Sequence, residues 1–133
     1  MRPRVVLVKN QSVLRTIIES WLSPVCDLVI FSDSEGALDY IRSLSGISLI
    51  IAGLDLAESV VGGCSIARES RRIFPDVPVL ILEWGSEIDH RTLLLNEMPN
   101  LMRINSVFGL WLSRKEIMAL AVGASTRMAE QSP

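Results

Sequence analysis

The chain has 133 residues, of which 49% are apolar and only 5% aromatic, and its formal net charge is -2. That is enough for one domain with its own aliphatic core, and the near-neutral balance gives no general case for a nucleic-acid or membrane surface. The mean hydropathy of +0.37 is high for so small a domain and points to apolar surface covered by a partner or by a second copy.

Val5-Val6-Leu7-Val8 is a continuous apolar run and reads as a first strand. It stops at Lys9, too soon for a signal-peptide core after Met1-Arg2-Pro3-Arg4. Gln11-Ser12 then precedes Val13, Leu14, Ile17, Ile18, Trp21 and Leu22 at helical spacing, and Ser23-Pro24 ends that helix. Leu28 to Phe31 is a second strand. The cap-like Ser32-Asp33-Ser34 opens a second helix carrying Ala37, Leu38, Ile41 and Leu44, which Gly46 terminates. Ile47 to Ala52 is a third strand, apolar on both faces. Asp55 to Gly63 reads as a loop, followed by a helix with Ile66, Ala67, Ser70 and Ile73.

Pro75-Asp76-Val77-Pro78 turns the chain into a fourth strand, Val79 to Leu82, and a helix around Ile88 to Leu95 follows Gly85-Ser86. Either Leu101 to Ile104 or Val107 to Trp111 can supply a fifth strand. The second is favoured because Ser113-Arg114-Lys115-Glu116 has the form of a capping box, with Glu116 reaching back to the serine. The final helix is then expected from about Arg114 to Met128, with Ile117, Leu120 and Ala121 inward. Residues 1–128 form the domain and residues 129–133 a frayed tail. Short aliphatic runs alternating with helix-period segments are the pattern of a parallel sheet covered on both faces.

Strands and helices in this order resemble a response-regulator receiver domain. Val8-Lys9-Asn10-Gln11-Ser12-Val13-Leu14-Arg15 stands where receivers carry a strand, an acidic pair and the first helix. Ser32-Asp33-Ser34-Glu35-Gly36-Ala37-Leu38 and Pro75-Asp76-Val77-Pro78-Val79 resemble two further junctions of that family. The resemblance covers nearly the whole chain. It implies an α/β fold of flavodoxin-like type, with a five-stranded parallel sheet in the order 2-1-3-4-5 and helices on both faces.

The resemblance also implies five chemical groups at the C-terminal strand ends. An acidic pair and a third-strand aspartate hold Mg²⁺ through oxygens, the aspartate accepts a phosphoryl group, and a hydroxyl and a lysine bind that group. This sequence departs at nearly every place. Lys9 and Asn10 occupy the acidic pair, and an ammonium repels the ion that a carboxylate binds. Glu83 stands at the hydroxyl position, followed by Trp84 where a small residue is usual. On the favoured strand register the lysine position falls at Leu110, with Trp111 after it. On the other it falls near Asn105, with Arg103 close by. The acceptor position is open between two counts. The strand pattern Ser48-Leu49-Ile50-Ile51-Ala52 selects Gly53, to which the reading leans, whereas spacing back from Gly62-Gly63 selects Asp55.

Lys9 and Glu83 project from neighbouring strands, beside Asp55 on one count, and an ion pair there could stand in for the metal. Simple exposure at the sheet edge explains them equally well, and an exposed pair is worth about 0–1 kcal/mol. His90 is the only histidine and reads as a surface residue. Arg68, Arg71 and Arg72 read as a solvated helix face, and Cys26 and Cys64, without close Cys or His neighbours, as small apolar residues in place of zinc ligands. The apolar excess of the last third includes Met102, Phe108 and Trp111, which are expected to form a partner face.

The expectation is a degenerate receiver in two-component-type signal transduction. It would be cytoplasmic and non-enzymatic, acting by contact with a signalling protein (a kinase, regulator or output protein) and forming a homodimer as an option. No catalytic residue, metal or cofactor is expected, and no nucleic acid or membrane. One alternative is an atypical receiver phosphorylated on Asp55, which would need Mg²⁺. The other is a small-molecule sensor using the crevice at the strand ends, which Glu83 and Trp84 would crowd.

Overall fold

A computed structural model describes residues 2–10, 12–43, 46–53, 62–82, 101–104 and 107–131. Its strands are β1 (Arg4–Val8), β2 (Asp27–Phe31), β3 (Leu49–Gly53), β4 (Val79–Leu82) and β5 (Leu101–Ile104). They form one parallel sheet in the order β2-β1-β3-β4-β5, which is the expected arrangement. The helices are α1 (Val13–Leu22), α2 (Ser34–Ser43), α3 (Gly62–Ile73), a short helix Val107–Leu112 and a C-terminal helix Arg114–Gln131.

Every residue of β1 from Val5 to Val8 is fully buried, as are Leu49 to Ala52 of β3. A strand so apolar on both sides can sit only in the middle of a sheet with helices over each face. Alternation sorts the side chains. Val5 and Leu7 join Leu49, Ile51, Leu80, Leu82 and Ile104 on one face, under α1 and the last two helices. Val6 and Val8 join Ile50, Ala52, Val79 and Ile81 on the other, under α2 and α3. Full burial of each Val, Leu or Ile side chain among them contributes about 1.5–3 kcal/mol.

Local signals fix the helix starts. Ser12 caps α1 by accepting the Arg15 N–H at 3.2 Å, and an Asp33 carboxylate oxygen caps α2 by accepting the Gly36 N–H at 2.7 Å. At the N-terminal ends of the strands, the Arg4 carbonyl accepts both the N–H and the hydroxyl of Ser48, at 2.9 and 3.1 Å. The Asp27 N–H is bonded to the Pro3 carbonyl.

Three expectations need correction. The fifth strand is Leu101–Ile104, whereas the run Val107 to Trp111, favoured from the sequence, lies in a helix, Val107–Leu112. That helix buries Leu110 completely against Ile117 and Ala121 and leaves Leu112 71% exposed, a division that a strand would not make between residues two apart. The α3 helix begins at Gly62, inside the expected loop. The C-terminal helix continues through Gln131, past the expected end at Met128. The helix expected around Ile88 to Leu95, with His90, and the final Ser132 and Pro133 lie outside the described residues.

Ser70 on α3 is 1% exposed, and its hydroxyl has no hydrogen-bond partner among the described residues. A buried donor left unpaired costs about 1–3 kcal/mol. Ser70→Ala is therefore expected to raise the melting temperature by a few degrees, measured by thermal denaturation followed by circular dichroism.

Candidate functional site

The register of the sheet brings the ends of β1 and β3 side by side. Val8 pairs with Ala52, so Lys9 and Gly53 come next along neighbouring strands, and Gly53 pairs with Leu82 at the end of β4. Lys9 is held from two directions. Its N–H donates to the Phe31 carbonyl at 2.9 Å, and its carbonyl accepts from Arg15 Nη1 at 3.1 Å. The same Arg15 donates from Nε to Glu19 at 2.9 Å, one turn on along α1. The backbone of Lys9 is thus tied both to β2 and to the first helix.

Its side chain lies over Gly53. A Cβ placed on Gly53 would stand 2.6 Å from Lys9 Cδ, 3.4 Å from Cε and 3.5 Å from Nζ. Lys9 and Asn10 are both half-buried. The backbone of Gly53 does not adopt the left-handed conformation that demands glycine. A side chain at this position would require the outer end of the Lys9 side chain to move aside.

The other candidate positions divide. Asp55, Glu83, Trp84 and Asn105 lie outside the described residues, and so does the proposed pairing of Lys9 with Glu83. The strands those two residues follow are not neighbours as expected, because β3 lies between β1 and β4. With β5 at Leu101–Ile104, the position after the strand is Asn105 rather than Leu110, and Arg103 is within β5, paired with Ile81. Leu110 belongs to the core and has no place in the site. Met102 is in β5, and Phe108 is in the short helix. Sequence reasoning identified Lys9 and Gly53 separately. It missed their contact, although a glycine beside a long side chain on adjacent strands is the signal that could have revealed it.

Mg²⁺ requires near-octahedral oxygen ligation. At the ends of β1 and β3 the described side chains supply an ammonium, one amide oxygen from Asn10 and nothing from Gly53. Among the described residues, no group of three or more His, Cys, Asp or Glu side chains is placed to hold a metal. These residues do not fit Mg²⁺.

Away from the strand ends, Trp111 is 51% exposed, and its ring meets Trp21 edge-on at 5.2 Å between centroids, 71° between planes. The Arg114 guanidinium lies 5.4 Å from the Trp21 centroid. On α3, Glu69 pairs with Arg72 and with Arg42 of α2. The hydrogen bond from Arg72 is the main reason its carboxyl is held below the usual range. Arg71 Nη1 donates to the Pro75 carbonyl at 2.7 Å, so two of the three clustered arginines have partners within the protein. Cys26 is buried, and loss of hydration raises its thiol pKa, while the side chain of Cys64 is outside the described set. Among the described residues, no helix is long and apolar enough to cross a membrane.

Several solved structures with a similar fold are receiver domains. A response regulator receiver protein from Sinorhizobium medicae matches with a TM-score of 0.72 at 15% identity, over 92% of this chain and 94% of its own. A signal receiver domain of an HD domain-containing protein from Pseudomonas fluorescens gives 0.71 at 23% identity, over 96% and 93%. The fold is that of a response-regulator receiver domain. The receiver domain of a sensor histidine kinase from Pseudomonas aeruginosa, with a magnesium ion in its active-site cleft, gives 0.69 at 20% identity, over 93% and 98%. No family model matches this receiver-like chain, and no curated protein sequence does.

Proposed function

We propose that this chain is a signalling domain of receiver type that works through protein–protein contacts, without Mg²⁺-dependent phosphorylation of an aspartate. The observation that carries the proposal is the Lys9 stem lying across Gly53 at the C-terminal end of β3. Gly53 is the last residue of that strand, the place the strand pattern assigns to the acceptor, and it offers no nucleophile. An ammonium beside it replaces the charge that a divalent cation would bring.

The partner is a signalling protein, a kinase, regulator or output protein, or a second copy of the chain. Trp111, with Phe108 on the same short helix and Met102 on β5, is the proposed contact region. Half the Trp111 surface is open, and aromatic side chains are favoured anchors at interfaces.

Incubation with acetyl phosphate, with and without Mg²⁺, followed by intact-mass measurement is the test. The expected result is an unmodified mass under conditions that label an ordinary receiver. A Mg²⁺-dependent phosphoryl adduct that disappears in Asp55→Ala would overturn the proposal and restore a switchable domain.

A further inference from the structure

We infer that Trp111, Leu112, Arg114 and Lys115 form a docking site for an acidic segment of a partner protein, one that presents an apolar side chain flanked by Asp or Glu. The inference rests on the contact-based reading above and names the chemistry of the partner that the Trp111 region takes.

The apolar half of the site is local and firmly seated. Trp111 and Leu112 are consecutive at the end of the short helix, and both are exposed. The Trp111 ring is braced from below, because it meets the ring of Trp21 edge-on and Trp21 belongs to the core. A ring held in this way has little freedom left to lose when a partner covers it, which suits tryptophan to the role of anchor.

The charged half selects the partner. Arg114 and Lys115 open the C-terminal helix, both exposed, and neither makes an ion pair with a described residue. The Arg114 guanidinium lies 5.4 Å from the Trp21 centroid, so this cation stands beside the same aromatic pair. Glu116 is two positions past Arg114 and Glu19 two positions before Trp21, which places each about 200° round its helix from that neighbour. Glu19 is also engaged by Arg15. A carboxylate of the partner supplies the counter-charge that this surface lacks. A second copy of the chain fits less well. In a two-fold contact centred on Trp111 the same surface meets itself, and the two cations of one copy would approach those of the other.

The test is selection of a random peptide library, displayed on phage, against the full chain and against the double variant Arg114→Glu, Lys115→Glu. Peptides selected by the parent are expected to carry Asp and Glu beside an apolar residue at about three times the library frequency or more. The most enriched of them, synthesised with a fluorophore, is expected to lose about tenfold or more in affinity for Trp111→Ala and for the charge-reversed variant, measured by anisotropy. Circular dichroism checks that each variant folds, and Leu112→Asp replaces Trp111→Ala should the latter not fold. Failure to select any peptide, selection without acidic enrichment, or an affinity unchanged in either variant would overturn the proposal. A parent mass that doubles with concentration in analytical ultracentrifugation, and no longer does so in the tryptophan variant, would overturn it in favour of a second copy. A Mg²⁺-dependent phosphoryl adduct on the parent would overturn the phosphorylation-independent reading and leave the binding result standing.

Discussion

Trp21→Ala is expected to destabilise the domain by about 3–5 kcal/mol, the range for removing a buried large aromatic. Trp21 is 6% exposed and packs in the cluster formed by β1, β3, α1 and the C-terminal helix. Its removal also takes away the edge-on contact with Trp111 and the ring beneath the Arg114 guanidinium. Aromatic pairs of this geometry add about 0.5–1.5 kcal/mol beyond area alone. Against a typical domain stability of about 5–15 kcal/mol, the loss is a large fraction of the total. Urea denaturation monitored by circular dichroism measures it. A change below about 1 kcal/mol would mean that α1 and the C-terminal helical region are not packed together through this ring.

The second large effect separates two residues that a strand would treat alike. Leu110→Ala is expected to cost about 2–5 kcal/mol, because Leu110 is fully buried with Ile117 and Ala121. Leu112→Ala is expected to stay within about 0.5 kcal/mol, because Leu112 is largely exposed. In a strand, residues two apart share a face and the two substitutions would have similar effects. The same denaturation experiment on both variants therefore tests whether Val107–Leu112 is helical. Comparable losses would return the fifth strand to that segment.

That segment also shows where the sequence was legible and where it was not. Val5 to Val8, Leu28 to Phe31, Ile47 to Ala52 and Val79 to Leu82 are short aliphatic runs bounded by polar or turn residues, and each supplies most or all of a strand. Val107–Leu112 is also a short apolar run, and six residues are too few for periodicity to distinguish helix from strand. The capping box at Ser113, which favours the later run in the sequence, does not decide between the two, since both assignments allow a helix start at Arg114. Gly62-Gly63 looked like loop because glycine disfavours helices, yet it opens α3, at a helix end where that cost is least decisive. At the site, Lys9 and Asn10 could be placed from the end of the first apolar run. Their relation to Gly53 depends on which residue of β1 pairs with which of β3, and adjacent apolar runs do not encode that pairing on their own. The choice between Gly53 and Asp55 turned on the same missing information, and Asp55 lies outside the described residues.

The complete burial of β1 and β3 on both sides has a further consequence. In a half-exposed strand, sliding by one position would throw every apolar side chain into water, and that penalty holds the strand in place. Between two helical layers the penalty nearly vanishes for Val5 to Val8 and Leu49 to Ala52, since either face accepts any of them. What prevents sliding must then sit at the ends of the runs. Arg4 precedes the apolar stretch of β1 and Lys9 follows it, so movement in either direction would draw a charged side chain between the layers, where it is strongly disfavoured. Lys9 is therefore a mechanical stop for β1 as well as the side chain lying over the end of β3, and the domain has reason to keep a charge there even apart from signalling.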